Sequence, residues 1–352
     1  MACTVATSVL PRVALALTLG AALAAPGAPA VAASQSAVFT LSPLVINGSS
    51  NVSATAINDK GTIVGTVDGN GFALYGSTVK MLPGSKCANT INCGPFPSVV
   101  TKNGDIAGIT YAVGFTFVLR DGKFLPGYKY GVDDGGWVYS LNNRGEIVFT
   151  QQDGIGAPFV PYIGTPPNIA ALELTTLSTV RSVNDGNVAA GDGNICEVRG
   201  ARHTCVYFGK NGKYVNLLPR GAIGTSGGYI NDANQVAGTY ADASGQQHGF
   251  VYHAGKYTSF DMPTTSLVGS ISVSALSNTG RVVGVYTDAA TNMLHVFWFN
   301  GTTVSYFGNY SSDGFPILAV ALNDVNQAVV AFNAASAGVY TSSLVSCAGT
   351  AC

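Results

Sequence analysis

Beyond residue 33 the apolar positions fall in short runs, broken every few residues by Gly, Asn, Asp or Ser, and no stretch holds a helical period. One unit sets the pattern: Ala56-Ile57-Asn58-Asp59-Lys60-Gly61-Thr62-Ile63-Val64-Gly65, an apolar step, a polar turn and a second apolar step. Variants of it recur to the C-terminus, with turns opening at Asn58, Thr101, Asn142, Asn184, Asn231, Ser277 and Asn323. Successive openings lie 43, 41, 42, 47, 46 and 46 residues apart. That period fits one four-stranded blade of a β-propeller. The fourth residue of the turn is Gly61, Gly104, Gly145, Asn187, Asn234, Gly280 or Asn326. Gly and Asn tolerate a positive φ best, so each turn is predicted as a tight hairpin, a type I turn closed by a left-handed residue.

Each repeat predicts four strands, A to D from the inside outward. Strand A ends at the turn and strand B leaves it, as in Thr62–Val67. Strand C is rich in aromatics, as in Val296-Phe297-Trp298-Phe299, and a short Gly turn leads to strand D, as in Tyr257–Asp261. The seventh repeat supplies A (Ala319–Leu322), B (Ala328–Phe332) and C (Gly338–Thr341) but no clear D. The segment Ala37–Pro43 resembles Tyr257–Pro263, so it is expected to complete the last blade and close the ring. An open solenoid would need polar caps at both ends. The expected fold is therefore all-β: a seven-bladed propeller over residues 34–345, then a C-terminal tail, 346–352.

Residues 1–33 read as a cleaved export signal, with Arg12 ahead of the apolar run Val13–Ala25 and small residues ending Ala30-Val31-Ala32-Ala33. The run is too short to span a bilayer, and no later stretch is long and apolar enough to do so. A secreted protein is expected, extracellular or periplasmic and monomeric, without membrane insertion of the mature chain. The net charge of −1 argues against nucleic-acid and anionic-membrane partners. Cysteines agree with export. Six remain beyond the signal, in three close couples: Cys87 and Cys93, Cys196 and Cys205, Cys347 and Cys352. Each couple brackets a polar loop or tail, which favours three local disulfides in an oxidising compartment. None has the spacing of a zinc site, and no metal or other cofactor is expected.

The third strands Gln247-His248-Gly249-Phe250-Val251-Tyr252 and Leu294-His295-Val296-Phe297-Trp298-Phe299, with the Asn-Asp-x-Gly-x-Val-x-Gly step upstream, resemble the extracellular repeat family named for its His-Ala-Phe motif. The resemblance spans essentially the whole mature chain. It implies secretion and a propeller-like fold, and no defined reaction. The chain departs from the motif: Gly249, Val296 and Thr204 replace the central Ala, and Asn70, Phe115 and Ala157 stand at the His position of the first three repeats.

Binding residues belong on variable loops held by a rigid scaffold, here the D–A and B–C connections. The Asp residues of the recurring turns (Asp59, Asp185, Asp232, Asp324) are expected to be structural, since a catalytic group is needed once and a turn residue in every blade. His203, His248 and His295 hold equivalent positions and are expected to fix the start of strand C. Two stretches break the repeat. One is Tyr128–Trp137, with Tyr130, Asp133, Asp134 and Trp137, where aromatic faces suit sugars and carboxylates suit hydroxyls or acid/base work. The other is the B–C connection Cys196–Cys205, with Arg199, Arg202 and His203, where Arg forks suit carboxylates. Arg181 stands nearer the channel. Asp133, Asp134 and His203 are the candidate acid/base groups, and Tyr130, Trp137, Arg181, Arg199 and Arg202 the candidate ligand contacts. Ser226, in the Gly-rich run Gly224–Gly228, lacks the strand–turn–helix setting of a nucleophile.

Three functions fit: a recognition module for a glycan or an extracellular protein, a lyase or hydrolase of acidic polysaccharide, and a structural surface protein. The first has the most support, because the propeller carries no consensus catalytic group.

Overall fold

The computed structural model describes residues 37–84, 95–110, 115–127, 136–152, 159–172, 179–198, 200–262, 268–311, 317–334, 339–349 and 352. They form seven four-stranded antiparallel sheets, each built from consecutive strands except the last. The chain folds as a seven-bladed β-propeller. Every predicted turn takes the predicted form. Gly61, Gly104, Gly145, Asn187, Asn234, Gly280 and Asn326 all have positive φ, between 58° and 99°. The Asn at the head of a turn stabilises it further: Asn58 Oδ1 accepts from the N–H groups of Lys60 (3.1 Å) and Thr62 (2.9 Å).

Ring closure is as expected. The N-terminal strand Val38–Pro43 is strand D of blade 7, paired with strand C from Val38↔Ala348 to Pro43↔Ser343. Phe39 packs on Phe307 and Trp298, with ring centroids 4.7 and 6.1 Å away. Strand C corrects the expected boundaries. It runs Val339–Ala348, so Ser346 and Cys347 lie in the sheet and not in a tail. The physical reason is that pairing with the N-terminal strand continues through them. The Cys347–Cys352 disulfide ties Cys352 to that strand, and Arg281 of blade 6 donates to the Cys352 main-chain oxygen.

A propeller's core lies between its blades. Seven apolar clusters occupy the seven junctions among the described residues. The junction of blades 6 and 7, for example, buries Val296, Trp298, Phe307, Val330 and Val345. Alternation along each strand sends one face to each neighbouring junction, so no blade is stable alone.

Strand A carries a feature that the repeat pattern does not announce. Each of the seven innermost strands has a register shift against strand B. In six blades the extra residue lies three before the head of the turn: Thr55, Ser98, Tyr139, Arg181, Gly228 and Ser274. A bulge re-aims its side chain, here towards the axis of the ring.

Candidate functional site

The seven strands A enclose a channel of about 540 Å³, lined by Thr55, Ser98, Tyr139, Arg181, Tyr229 and Ser274 among others. At one mouth the seven turns clasp one another. Asn58 Nδ2 donates to the Thr101 carbonyl, Asn142 to Asn184, Asn184 to Asn231, Asn231 to Ser277 and Asn323 to Asn58, all at 2.8–3.0 Å. The next turn residue adds a second clasp. The N–H groups of Asn143, Asp185, Asp232, Asn278 and Asp324 donate to side-chain oxygens of Asp185, Asp232, Asn278, Asp324 and Asp59 at 2.6–2.9 Å. The turn aspartates are therefore structural, as expected, and they join blades as well as shaping turns.

Blade 2 departs from this ring, with Thr101 and Lys102 where the others carry Asn or Ser followed by Asp or Asn. Lys102 Nζ lies 3.1 Å from Asp324 and 3.7 Å from both Asp59 and Asp232. Those aspartates belong to blades 7, 1 and 5, so one ammonium reaches across the mouth. Burial pulls the Lys102 pKa down, but the three carboxylates push it up further, and it stays above the usual lysine range.

This ring sets an acid limit on stability. Burial raises the Asp324 pKa, but hydrogen bonds from Asn278 and Lys102 outweigh it and leave it below the usual carboxylate range. On the loop face, hydrogen bonds from the Ser244 hydroxyl and the Gln246 and Ser244 N–H groups hold Asp242 at about 2. Carboxylates with depressed folded pKa values stabilise the fold above their unfolded pKa, and that contribution is lost as pH falls through the folded value. The melting temperature should hold steady near neutrality and drop below about pH 4. Asp324→Asn should lower it at pH 7 and make the acid drop shallower. An identical acid profile in the variant would show that the ring is not its source.

At the opposite, loop-bearing end, Arg181 is fixed by Asp192 of strand B. Arg181 Nε donates to Oδ1 (3.1 Å) and Nη2 to Oδ2 (3.2 Å). Asp192 is buried and also accepts from the Thr179 hydroxyl (2.5 Å) and the Gly227 N–H (3.0 Å). Burial pulls the Arg181 pKa down and Asp192 pushes it up further, so the guanidinium stays charged. Tyr229 lies within electrostatic reach of it, and burial raises that tyrosine above its ordinary range. Tyr139, the extra residue of blade 3, lies within electrostatic reach.

The structure treats the sequence candidates unequally. Tyr130, Asp133, Asp134 and Arg199 lie outside the described residues, as does the expected Cys87–Cys93 bridge. Trp137 stands at the loop end of strand A of blade 3, 58% exposed. The stretch Cys196–Cys205 is not a loop. Strands B (Ala189–Val198) and C (Ala201–Lys210) of blade 4 extend as one hairpin, with Glu197↔Arg202 and Val198↔Ala201 paired and the Cys196–Cys205 disulfide across it. Arg202 is exposed near its tip and His203 half-buried. The hairpin leans on strand A of blade 5 (Ala222–Ile230), where Thr225 Oγ1 accepts from the Val206 N–H at 2.7 Å. Two histidines serve their blades as expected. His248 and His295 stack on Tyr240 and Tyr286, with centroids 4.7 and 4.8 Å apart, and their Nδ1 atoms bond to Asp261 and to the Gly308 carbonyl. Sequence reasoning missed Asp192, which sits in a Gly-Asp-Gly run that reads as a turn. Its signal was available: every other repeat has Thr, Ile, Val or Ala at that place.

No protein-family model matches the chain, and no curated protein matches it. Solved structures do. The RRP9 WD40 repeats share 11% identity with a TM-score of 0.51, covering 88% of this chain and 97% of that one. The β-propeller domain of the Trilobed protease from Pyrococcus furiosus shares 11% at 0.50, over 74% and 82%. A structure from a study of two prolyl endopeptidases shares 13% at 0.50, over 83% of this chain and 49% of that one. The likeness is one of fold.

Proposed function

We propose that the protein is an exported recognition module of the His-Ala-Phe repeat type, binding a glycan or an extracellular protein on its loop face around blades 3 and 4. One observation carries this reading: the regularity of the ring breaks on that face of blade 4. Both strands of its B–C hairpin have 10 residues, against 5 and 6 in blades 1 and 2, 7 and 7 in blades 5 and 6, and 8 and 10 in blade 7. A disulfide holds it, which lowers the ordering cost of binding. The bridges Cys196–Cys205 and Cys347–Cys352 suit an oxidising compartment, and among the described residues no helix is long and apolar enough to cross a membrane. Trp137 supplies stacking area, Arg202 anion recognition, and His203 a hydrogen-bonding or acid/base group.

The test is a panel of polysaccharides and extracellular-matrix proteins offered to the mature protein. Retention without turnover supports the module, whereas new reducing ends or unsaturated products would make it an enzyme. For a retained ligand, Trp137→Ala and Arg202→Ala should each weaken binding by more than about 1 kcal/mol. Normal binding by both variants would move the site off this sector.

A further inference from the structure

The sevenfold repeat supplies its own control, because equivalent positions can be compared within one molecule. Three residues before the head of the turn, the blades carry Thr55, Ser98, Tyr139, Arg181, Gly228, Ser274 and Val320. Eight residues after it they carry Thr66, Ile109, Thr150, Asp192, Thr239, Val285 and Ala331. Only blade 4 has a cation at the first position, and only blade 4 has a carboxylate at the second. The two departures meet, Nε and Nη2 of Arg181 against both oxygens of Asp192. Where the first position needs only to join blades, a hydroxyl suffices: Thr55 Oγ1 donates to the Pro97 carbonyl (2.7 Å) and Ser98 Oγ to that of Val138 (2.8 Å). A part-buried ion pair at a place where the other six blades carry none is not needed to close a blade, and such pairs add little net stability.

We propose that Arg181 is the recognition cation of a well that takes a carboxylate-bearing sugar or chain end from the loop face. This rests on the reading of that face as the binding face. Asp192 holds the Nε–Nη2 edge of the guanidinium, so Nη1 is turned away from it. The guanidinium has five N–H donors, more than Asp192 takes. Its orientation is set before any ligand arrives, which reduces the entropy lost on binding. Tyr139 and Tyr229 line the channel from the neighbouring blades 3 and 5, and tyrosine side chains suit a sugar. The far mouth is crossed by Lys102 among Asp59, Asp232 and Asp324. Entry is thus from the loop end, where Trp137 stands two residues before Tyr139 on the same strand. Charge selects a monoanion. Asp192 already neutralises Arg181, and among the described residues lining the floor Asp59, Asp185, Asp232 and Asp324 face Lys102. A phosphate dianion or a densely sulfated chain would meet that surplus of negative charge, whereas one carboxylate on a hydroxyl-rich body meets one oriented fork.

The experiment measures calorimetric affinity for glucuronate and oligogalacturonate, with the carboxyl-reduced sugars and inorganic phosphate as controls. The informative variant is R181T/D192T, which gives blade 4 the residues that blade 1 carries at the same places and leaves no unpaired buried charge. The wild type should bind the uronates and neither control. The double variant, with unchanged circular dichroism, should bind them about tenfold more weakly or not at all. Failure of the wild type to bind uronates, equal binding of the reduced sugars, or an unaffected double variant would overturn the proposal. The two readings fail separately. A panel ligand lost in Arg202→Ala but kept in R181T/D192T preserves the loop-face module and removes the channel site. Uronate binding that depends on Arg181 while no polymer or protein is retained does the reverse.

Discussion

Deleting Val38–Pro43 from the mature protein should abolish cooperative unfolding and drive self-association. The strand makes six register pairs with strand C of blade 7, and its loss uncovers that edge along Val339–Ala348. An unpaired edge recruits other strands. Phe39 leaves with it, vacating a site against Trp298 and Phe307 at the junction of blades 6 and 7. Truncating a buried Phe costs about 3–5 kcal/mol, and this half-buried one somewhat less. Adding the lost ladder, the deletion approaches the roughly 5–15 kcal/mol that holds a whole domain together. Thermal melts and size-exclusion chromatography provide the check, and a peptide of residues 37–44 added in trans should partly restore the melt. A monomeric deletion protein with an unchanged melt would mean that the ring is closed by something else.

The fold was legible because its signals are local and repeated. A turn that needs a positive φ must carry Gly or Asn, and seven such turns at one period leave few architectures. The closing strand was legible because the seventh repeat lacked a D strand and the N-terminus resembled one. The clasps between blades were not legible. Asn58 and Asp59 read as turn formers, and turn formation is only half of what they do, since their other bonds go to residues 43 or 265 positions away. The candidate site was half legible for the same reason. Arg181 stood out as a charge in an apolar strand, but Asp192 lies beyond the turn in a Gly-rich run, and only the strand register brings the two together. The Cys196–Cys205 segment was misjudged as a loop because its charged residues hide a strand pair, Glu197↔Arg202. Even the Gly of the Val-x-Gly step had a hidden reason. A Cβ at Gly65, Gly108, Gly191 or Gly284 would fall within 2.1 Å of the carbonyl of Ser53, Phe96, Thr179 or Ser272, pushed inward by the bulge of strand A.

Gly228→Ala should damage the ring, and it should disable the channel as well as the fold. Gly228 is the extra residue of strand A in blade 5, with φ +104°. The corresponding residue in blades 1, 2, 3, 4 and 6 carries a side chain, so the bulge alone does not demand Gly. What demands it is its own positive φ together with blade 4. A Cβ here would sit 2.4 Å from the Gly191 carbonyl oxygen and 2.8 Å from the Gly191 Cα, backbone that no rotamer change can move. Gly191 is equally confined on its other side, by the Thr179 carbonyl at 1.9 Å from its own added Cβ. The overlap must therefore be relieved by separating blades 4 and 5, which loosens the cluster around Val206, Leu217, Ile230 and Phe250. A positive φ by itself costs a side chain roughly 1–2 kcal/mol, and overpacking adds about 1–3 kcal/mol. Gly212→Ala isolates the first part, because Gly212 has φ +74° and nothing within 4 Å of an added Cβ. Gly228→Ala should thus lose about twice as much stability as Gly212→Ala in denaturant melts. It should also lose uronate affinity, since the neighbouring Gly227 N–H is one of the groups that hold Asp192 against Arg181. Equal losses in the two variants would mean that blade 4 yields at Gly191 and that the contact between the blades does not position the site.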